Sequence, residues 1–424
     1  MFKTVLLLFV VLFFGACGLS TPVPPKPNEK IFAQEDIYIL EALYAQEQKK
    51  DKKASDIYAL LYEKSQKKEY LYRSLQSDLA AGEAQKLIKR VDAIFLEDES
   101  DLELLRLKIL GLLSLQKIKE AQHLSEKLVK KSQSVNDYIL MSEILIKREE
   151  FDLALKYLES AYTKEYNEEL LDKMSIILYV NLGRPKDAIA YLETHTRIHG
   201  KSRLLLMRLI GFYSDQNNIE GLLQSYKRFY EISPDPQIAK KIIQIYTYKR
   251  DYLRLVDFLE ESGANDEQLL SLYVSSRNYK KAHPLAQKLY NESGDIRYLG
   301  QSAIYEYESS KEHKDKAFLE KVVQKLERVI KTEPSAMYLN YLGYLLIDHD
   351  LDVKRGIGYI KKVLEIEPNS AYYLDSLAWG YYKLGECTKA QKLIQKVLKL
   401  EGGENAEVLE HAQKIDSCLK TKKR

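Results

Sequence analysis

The chain has 424 residues, of which 45% are hydrophobic and 30% charged, and its net charge is +3. Gly (18) and Pro (10) make up about 7% of it, against roughly 12% in average usage, which argues against an all-β, collagen-like or disordered protein. So small a net charge offers no basic domain of the kind that nucleic acid requires, and the 32 Tyr beside a single Trp need an explanation.

At the N-terminus, Lys3 precedes the unbroken apolar run Val5–Phe14, and Gly15 and Ala16 lead to Cys17. That run is shorter than the ~20 residues needed to span a bilayer. The tetrapeptide FGAC at 14–17 resembles the lipobox of bacterial lipoproteins. The resemblance implies that 1–16 is a signal peptide, cut before Cys17, and that the Cys17 thiol carries lipid; an ordinary secretory signal and an uncleaved anchor are the other readings. Gly18, where Asp would retain a lipoprotein at the inner membrane of enterobacteria, implies the outer membrane with the body facing the periplasm. Inner-membrane anchoring and secretion stay open. Residues 17–33 contain four of the ten prolines, Pro22, Pro24, Pro25 and Pro27, and such a segment favours polyproline II and works as a semi-rigid tether.

From residue 34 onward the apolar residues follow a helical period, cut at short polar breaks such as Lys49–Lys53, Gly183-Arg184 and Lys383–Glu386. Pro334 and Pro368 lie 34 residues apart, as do Gly356 and Ala390, and Ala154 and Ala188. Leu339-x-x-Leu342-Gly343-x-x-Leu346 and Leu374-x-x-Leu377-Ala378-x-x-Tyr381, followed by Gly385 and Ala390-x-x-x-Ile394, resemble the tetratricopeptide repeat. Ala154-x-x-x-Leu158 and Ala188-x-x-x-Leu192 match its second half. The resemblance implies an all-α, right-handed superhelical solenoid, because one helix pair cannot bury its apolar stripe and stacked pairs can. About eleven pairs are expected, over 34–66, 67–98, 99–133, 134–167, 168–200, 201–234, 235–264, 265–294, 295–334, 335–369 and 370–402. A polar capping helix follows near 404–419, and 420–424 is a basic tail. The repeat is degenerate over 34–264 and regular over 265–419. Pro284 falls inside a second helix, which should kink or start late, and the charged 309–316 stretch reads as a loop or helix extension.

Chemistry is sparse. His195 and His199, spaced i, i+4, share a helix face but lack a third ligand or a nearby metalloprotease Glu, so they read as surface histidines. Asp348–Asp352 opens like a calcium loop but has Val353 and Tyr359 where Gly and Glu are required, leaving Asp352 as a helix N-cap. No nucleophile elbow, Walker loop or dinucleotide fingerprint is present. The chain therefore reads as non-catalytic, with no metal and no cofactor. Cys387 begins the second helix of the last pair and Cys418 ends the capping helix; antiparallel packing would bring them together as a disulfide.

In the tetratricopeptide family, partners usually lie against the concave groove lined by the first helix of each pair. Carried onto this chain, the groove comprises Tyr298, Gln301 and Tyr305; Asn340 and Tyr344; and Tyr372, Asp375, Trp379 and Tyr382. Aromatic groups with a polar tip suit binding surfaces, whereas Tyr179, Tyr273 and Tyr381 read as seam residues. The resulting expectation is a lipid-anchored scaffold or adaptor for envelope proteins or peptides, in assembly, secretion, motility or cell-wall synthesis, with no nucleic-acid partner. The alternatives are a peptidoglycan- or glycan-binding or glycan-active envelope protein, with Asp375 and Glu308 as its carboxylates, and a soluble adaptor.

Overall fold

The computed structural model describes residues 31–96, 100–401 and 405–422; the signal segment, Cys17 and the prolines of the tether lie outside these residues. The described residues contain 23 α-helices and no strand. Contacts divide the chain at 233/234, one helix pair before the repeat pattern becomes regular at 264/265.

The first unit pairs α1 (Glu35–Glu47) with α2 (Asp51–Ser65), α3 (Lys68–Ala80) with α4 (Ala84–Phe95), and α5 (Leu102–Ser114) with α6 (Ile118–Ser132). It continues with α7 (Val135–Lys147) and α8 (Phe151–Lys164), α9 (Glu168–Ile176) and α10 (Pro185–Ile198), and α11 (Arg203–Asp215) and α12 (Ile219–Ile232). A π-helical turn, Ile177–Asn181, extends α9. The second unit pairs α13 (Pro236–Lys249) with α14 (Tyr252–Ser262), α15 (Asp266–Ser275) with α16 (Tyr279–Ser293), and α17 (Ile296–Ser309) with α18 (Lys316–Thr332). Its last pairs are α19 (Ala336–Asp348) with α20 (Val353–Ile366) and α21 (Ala371–Lys383) with α22 (Cys387–Val397), and α23 (Ala406–Lys422) closes it. Each of the eleven expected spans thus holds one pair. Within each unit the pairs stack, with first helices touching in succession, α3 against α5, α9 against α11, α19 against α21. This is an α-solenoid arrangement.

Local signals repeat with the pairs. Eight of the eleven first helices begin on side-chain caps, Asp101, Ser134, Asn167, Ser202, Asp235, Asn265, Asp295 and Ser335, each accepting from a backbone N–H of the first turn. Ten of the eleven end on a residue in the left-handed region, at Lys49, Gly82, Gln116, Glu149, Gly183, Asn217, Arg250, Arg277, Asp350 and Gly385. The next N–H then reaches back across the last turn, as in Lys117 N to Leu112 O (2.9 Å) and Glu386 N to Tyr381 O (2.8 Å). That closure satisfies end carbonyls and reverses the chain. Only three of these ten positions carry Gly, which accounts for much of the shortage of Gly in the composition.

Small residues set the spacing between helices. A Cβ on Gly356 would lie 2.5 Å from the Gly343 carbonyl oxygen, so α19 and α20 meet backbone to backbone. Ala121, Ala154, Ala188, Ala378 and Ala390 are wholly buried. Large residues fill between pairs, as where Val322, Leu326, Leu342 and Leu346 share one core cluster.

The tyrosines join neighbouring pairs. Their rings bury apolar area while the hydroxyls reach carboxylates about one repeat away: Tyr70 to Glu35 (2.7 Å), Tyr72 to Asp101 (2.7 Å), Tyr179 to Asp215 (2.6 Å), Tyr191 to Glu159 (2.6 Å), Tyr298 to Glu267 (2.6 Å) and Tyr341 to Glu308 (2.8 Å). One local expectation narrows and another holds, the loop being one of the two readings of 309–316. Helix α16 starts at Tyr279 and runs through Pro284, so it does not start late, and 310–315 is a loop ahead of α18.

Candidate partner-binding face

The expected groove residues all lie in the second unit, on α17, α19 and α21. On α17, the Tyr298 hydroxyl is tied to Glu267 of α15, and Tyr305 stacks on Tyr279, with centroids 5.7 Å apart. The Gln301 Oε1 is buried without a hydrogen-bond partner. On α19, Asn340 is fully buried, and neither its amide oxygen nor its nitrogen makes a hydrogen bond of normal geometry. Such groups usually find a partner, since leaving one unmade costs about 1–3 kcal/mol.

The Tyr344 hydroxyl donates to Glu407 of α23. Burial, and then the Glu407 carboxylate, push this hydroxyl well above the ordinary 10.0, so it stays a donor throughout the physiological range. Burial and Glu308 act in the same way on Tyr341. On α21, Tyr372 is 60% exposed and rests edge-on against Tyr373.

Trp379 and Asp375 do not face an open groove. Trp379 is 5% exposed and Asp375 6%. The indole Nε1 donates to Asp348 (2.9 Å), and its ring stacks on Tyr382 at 4.7 Å and on His411 at 4.1 Å. Lys383 and Lys414 place ammonium groups 5.6 and 5.2 Å from the same ring. Asp375 accepts from His411 Nδ1 at 3.1 and 3.0 Å, which fixes that nitrogen as the protonated one.

The reason lies in the phase of α23. Val408, His411, Ala412 and Ile415 stand 34 residues after Leu374, Leu377, Ala378 and Tyr381. Helix α23 is therefore a further first helix, stacked on α21 and α22, and it covers the row that would otherwise be the last of the groove. Its other side is mostly polar, with Glu407, Glu410, Gln413, Lys414, Asp416 and Ser417 exposed beside Leu409. Cys387 and Cys418 form a disulfide, Cα–Cα 5.8 Å, between the start of α22 and the end of α23.

Sequence reasoning missed His411 and Glu407, although the 34-residue spacing that places them is the one used for the other repeats. Of the seam tyrosines, Tyr273 is buried and Tyr179 stacks on Phe212 at 4.0 Å. Of the two first-unit histidines read as surface groups, His199 is exposed and His195 is not. His195 is 3% exposed, with its ring nitrogens bonded to the hydroxyls of Tyr162 (2.8 Å) and Tyr166 (2.6 Å). Burial, with His199 beside it, lowers its proton affinity. Among the described residues no three His, Cys, Asp or Glu side chains are grouped to hold a metal ion, and no helix is long and apolar enough to cross a membrane.

No family profile matches the chain. Over 256 residues it is 25% identical to a TPR repeat-containing protein of Methanocaldococcus jannaschii; the match covers 60% of this chain and 42% of that protein's length. Among solved structures it is similar to the Cut9–Hcn1 hetero-tetramer of APC/C, at 11% identity and TM-score 0.36, covering 91% of this chain and 96% of that one. It is also similar to Naa15/Naa10 bound to HypK, at 11% identity and TM-score 0.32, covering 91% and 66%. A tetratricopeptide repeat protein of Parabacteroides merdae is similar at 17% identity and TM-score 0.26, covering 59% and 99%.

Proposed function

We propose that the chain is a non-catalytic scaffold of tetratricopeptide type that binds protein partners, anchored through lipid on Cys17 in a bacterial envelope, at the outer membrane facing the periplasm. The observation that carries the binding reading is the α17–α19–α21 face. There, exposed Tyr372 belongs to the same set of rows as Tyr305, as Asn340, whose buried amide atoms make no hydrogen bond of normal geometry, and as Gln301, whose buried Oε1 has no partner. Stacked first helices offer a long, regular surface, and tyrosine supplies contact area at low entropic cost. The repeat-containing relative, and the helix-pair architecture, support the scaffold reading. The apolar run ending in FGAC and the proline-rich stretch behind it support the anchor.

Two experiments test the halves separately. A photo-crosslinking amino acid at residue 372 or 305 of the full chain should capture the same discrete protein partners from both positions, and one at exposed Lys119 should not. Capture of none, or of identical material from all three positions, removes the binding face. Metabolic palmitate labelling should mark the wild-type chain and be lost in Cys17→Ser. Label that persists in that variant, or never appears in the wild type, removes the anchor.

A further inference from the structure

Four tyrosines and two glutamates from α17, α19, α21 and α23 form one patch of the second unit. Tyr307 and Tyr341 stand edge to face at 6.1 Å, and the Tyr341 hydroxyl donates to Glu308 (2.8 Å). One turn along α19, the Tyr344 hydroxyl donates to Glu407. Tyr372 is the exposed member. Burial, then Glu407, Tyr373 and Glu308, raise its hydroxyl above the ordinary 10.0; burial, then Asp348, Glu308 and Glu407, raise Tyr307 to about 12. Both glutamates thus lie near the same two hydroxyls. Both are also exposed, and no Lys or Arg among the described residues pairs with either. Their neighbours do have cations: Glu306 holds Lys321 and Lys325, Asp350 holds Lys383, and Glu410 holds Lys414. Beside the Tyr372 hydroxyl lies the Asn340 amide, fully buried, with neither its oxygen nor its nitrogen in a hydrogen bond of normal geometry. An unmade hydrogen bond at a buried amide is costly, and it points to a ligand that completes it.

We infer that this patch takes a positively charged segment of a partner protein, with an arginine or lysine held over the Tyr372 ring between Glu308 and Glu407, and an amide of the same segment bonded to Asn340. The inference rests on the partner-binding reading of the α17–α19–α21 face and names the chemistry of the partner. The face of a tyrosine ring attracts a cation within about 6 Å of its centroid, more strongly where water is partly excluded. Carboxylates without a cation of their own add charge-assisted hydrogen bonds, and a planar guanidinium suits both the ring and the carboxylates. An acidic segment would meet two like charges. An apolar one would cover both carboxylates and leave them unpaired, which is costly.

The test is fluorescence anisotropy of the purified full chain with a labelled heptapeptide of alternating Gly and Arg. The wild type should bind this probe and should not bind its Gly-Glu counterpart. Glu308→Gln/Glu407→Gln should weaken binding by about tenfold or more. Glu261→Gln/Glu365→Gln removes the same charge from exposed sites on α14 and α20 and should leave binding within about twofold. Tyr372→Leu should weaken it several-fold, whereas Tyr372→Phe, which keeps the ring, should not. No binding by the wild type, equal loss in the two double variants, or equal affinity of the Leu and Phe variants would each overturn the inference. Its failure is distinct from that of the partner-binding reading: discrete proteins photo-captured from residue 305 equally well in the wild type and in Glu308→Gln/Glu407→Gln would remove the basic segment and leave the binding face standing.

Discussion

The imidazole of His411 stacks on the indole of Trp379 with planes 13° from parallel, while its Nδ1 holds both oxygens of Asp375. Leu377 fills the corresponding place one repeat earlier, so a polar pair occupies a seam that is elsewhere apolar. A polar pair in a buried seam fixes register, because each partner is costly to leave alone. His411→Leu should destabilise the docking of α23 by about 2–3 kcal/mol, the penalty of a buried carboxylate that has lost its donor. The added variant Asp375→Leu should recover part of that loss. Trp379 is the only tryptophan, so urea unfolding followed by its emission reports the site; an unchanged midpoint in His411→Leu would contradict the assignment.

The disulfide acts on the same helix from its far end. It joins residues 31 apart in sequence, and a loop of about that length contributes roughly 3–4 kcal/mol in the chain-entropy model. Cys387→Ser/Cys418→Ser should therefore expose α23 to amide exchange well before α19 and α20. Two free thiols in the non-reduced native protein, read by mass spectrometry, would show that the staple is not formed in solution.

Close backbone approach gives a sharper test of the packing. In Gly356→Ala the new methyl would meet the Gly343 carbonyl and the Ile347 side chain. Separating α19 from α20 to admit it should cost about 1–3 kcal/mol. Gly358→Ala, where nothing lies within 4 Å, should be neutral or slightly stabilising. Equal midpoints for the two variants would mean that the helices are not held at this distance.

The helix pairs were legible because three independent signals share one period: apolar spacing, small residues at Gly343, Ala378 and Ala390, and polar breaks between helices. What sequence spacing could not reveal was which face the terminal helix would cover. Trp379 read as open because α23 read as a polar cap, and only its phase, with Val408 and Ile415 in the places of Leu374 and Tyr381, shows it to be another first helix. The tyrosine ties were hidden for a different reason. A Tyr at a seam position looks the same in sequence whether or not its hydroxyl finds a carboxylate one repeat away. Most of the turn signal was hidden too, because seven of the ten left-handed positions carry side chains.

Those seven positions lead to a stabilising prediction. Gln116 and Glu149 adopt φ of 59° and 62°, where a side chain costs roughly 1 kcal/mol that Gly avoids, offset in part by Gly's greater freedom when unfolded. Gln116→Gly and Glu149→Gly should each raise stability by up to about 1 kcal/mol. Gly183→Ala, at φ 62°, should lower it by a similar amount. Thermal unfolding of the three single variants decides the matter, and a loss of stability in both Gly variants would be inconsistent with the turn geometry.

Stability should fall at both ends of the pH scale, for opposite reasons. Burial by itself would raise the Asp78 carboxyl, but donors from Ser55, Lys86 and Arg90 outweigh it and hold the group below its ordinary 3.8. Glu35, against burial, is held below 4.5 by Lys67, Tyr70 and the Ile31 amide, and Asp137 is lowered by Arg106, Ser132 and Ser134. A carboxyl lowered in the folded state contributes stability that is fully present above its unfolded value and is lost as pH falls through the folded one. These three groups lie in the first unit, whose urea midpoint should be level from about pH 7 to 5 and drop below about pH 4. The tyrosines have the reverse sign. Burial and then Asp215 raise Tyr179 from 10.0 to about 12, and burial and then Glu159 do the same for Tyr191. An acid whose folded value is raised stabilises the fold below its unfolded value and ceases to do so as pH climbs through the folded one. Alkaline loss should therefore set in above about pH 10. Tyr191→Phe should start from a lower stability and lose less of it between about pH 10 and 12; an alkaline limb as steep as that of the wild type would show that the inter-repeat tie to Glu159 does not contribute to the fold.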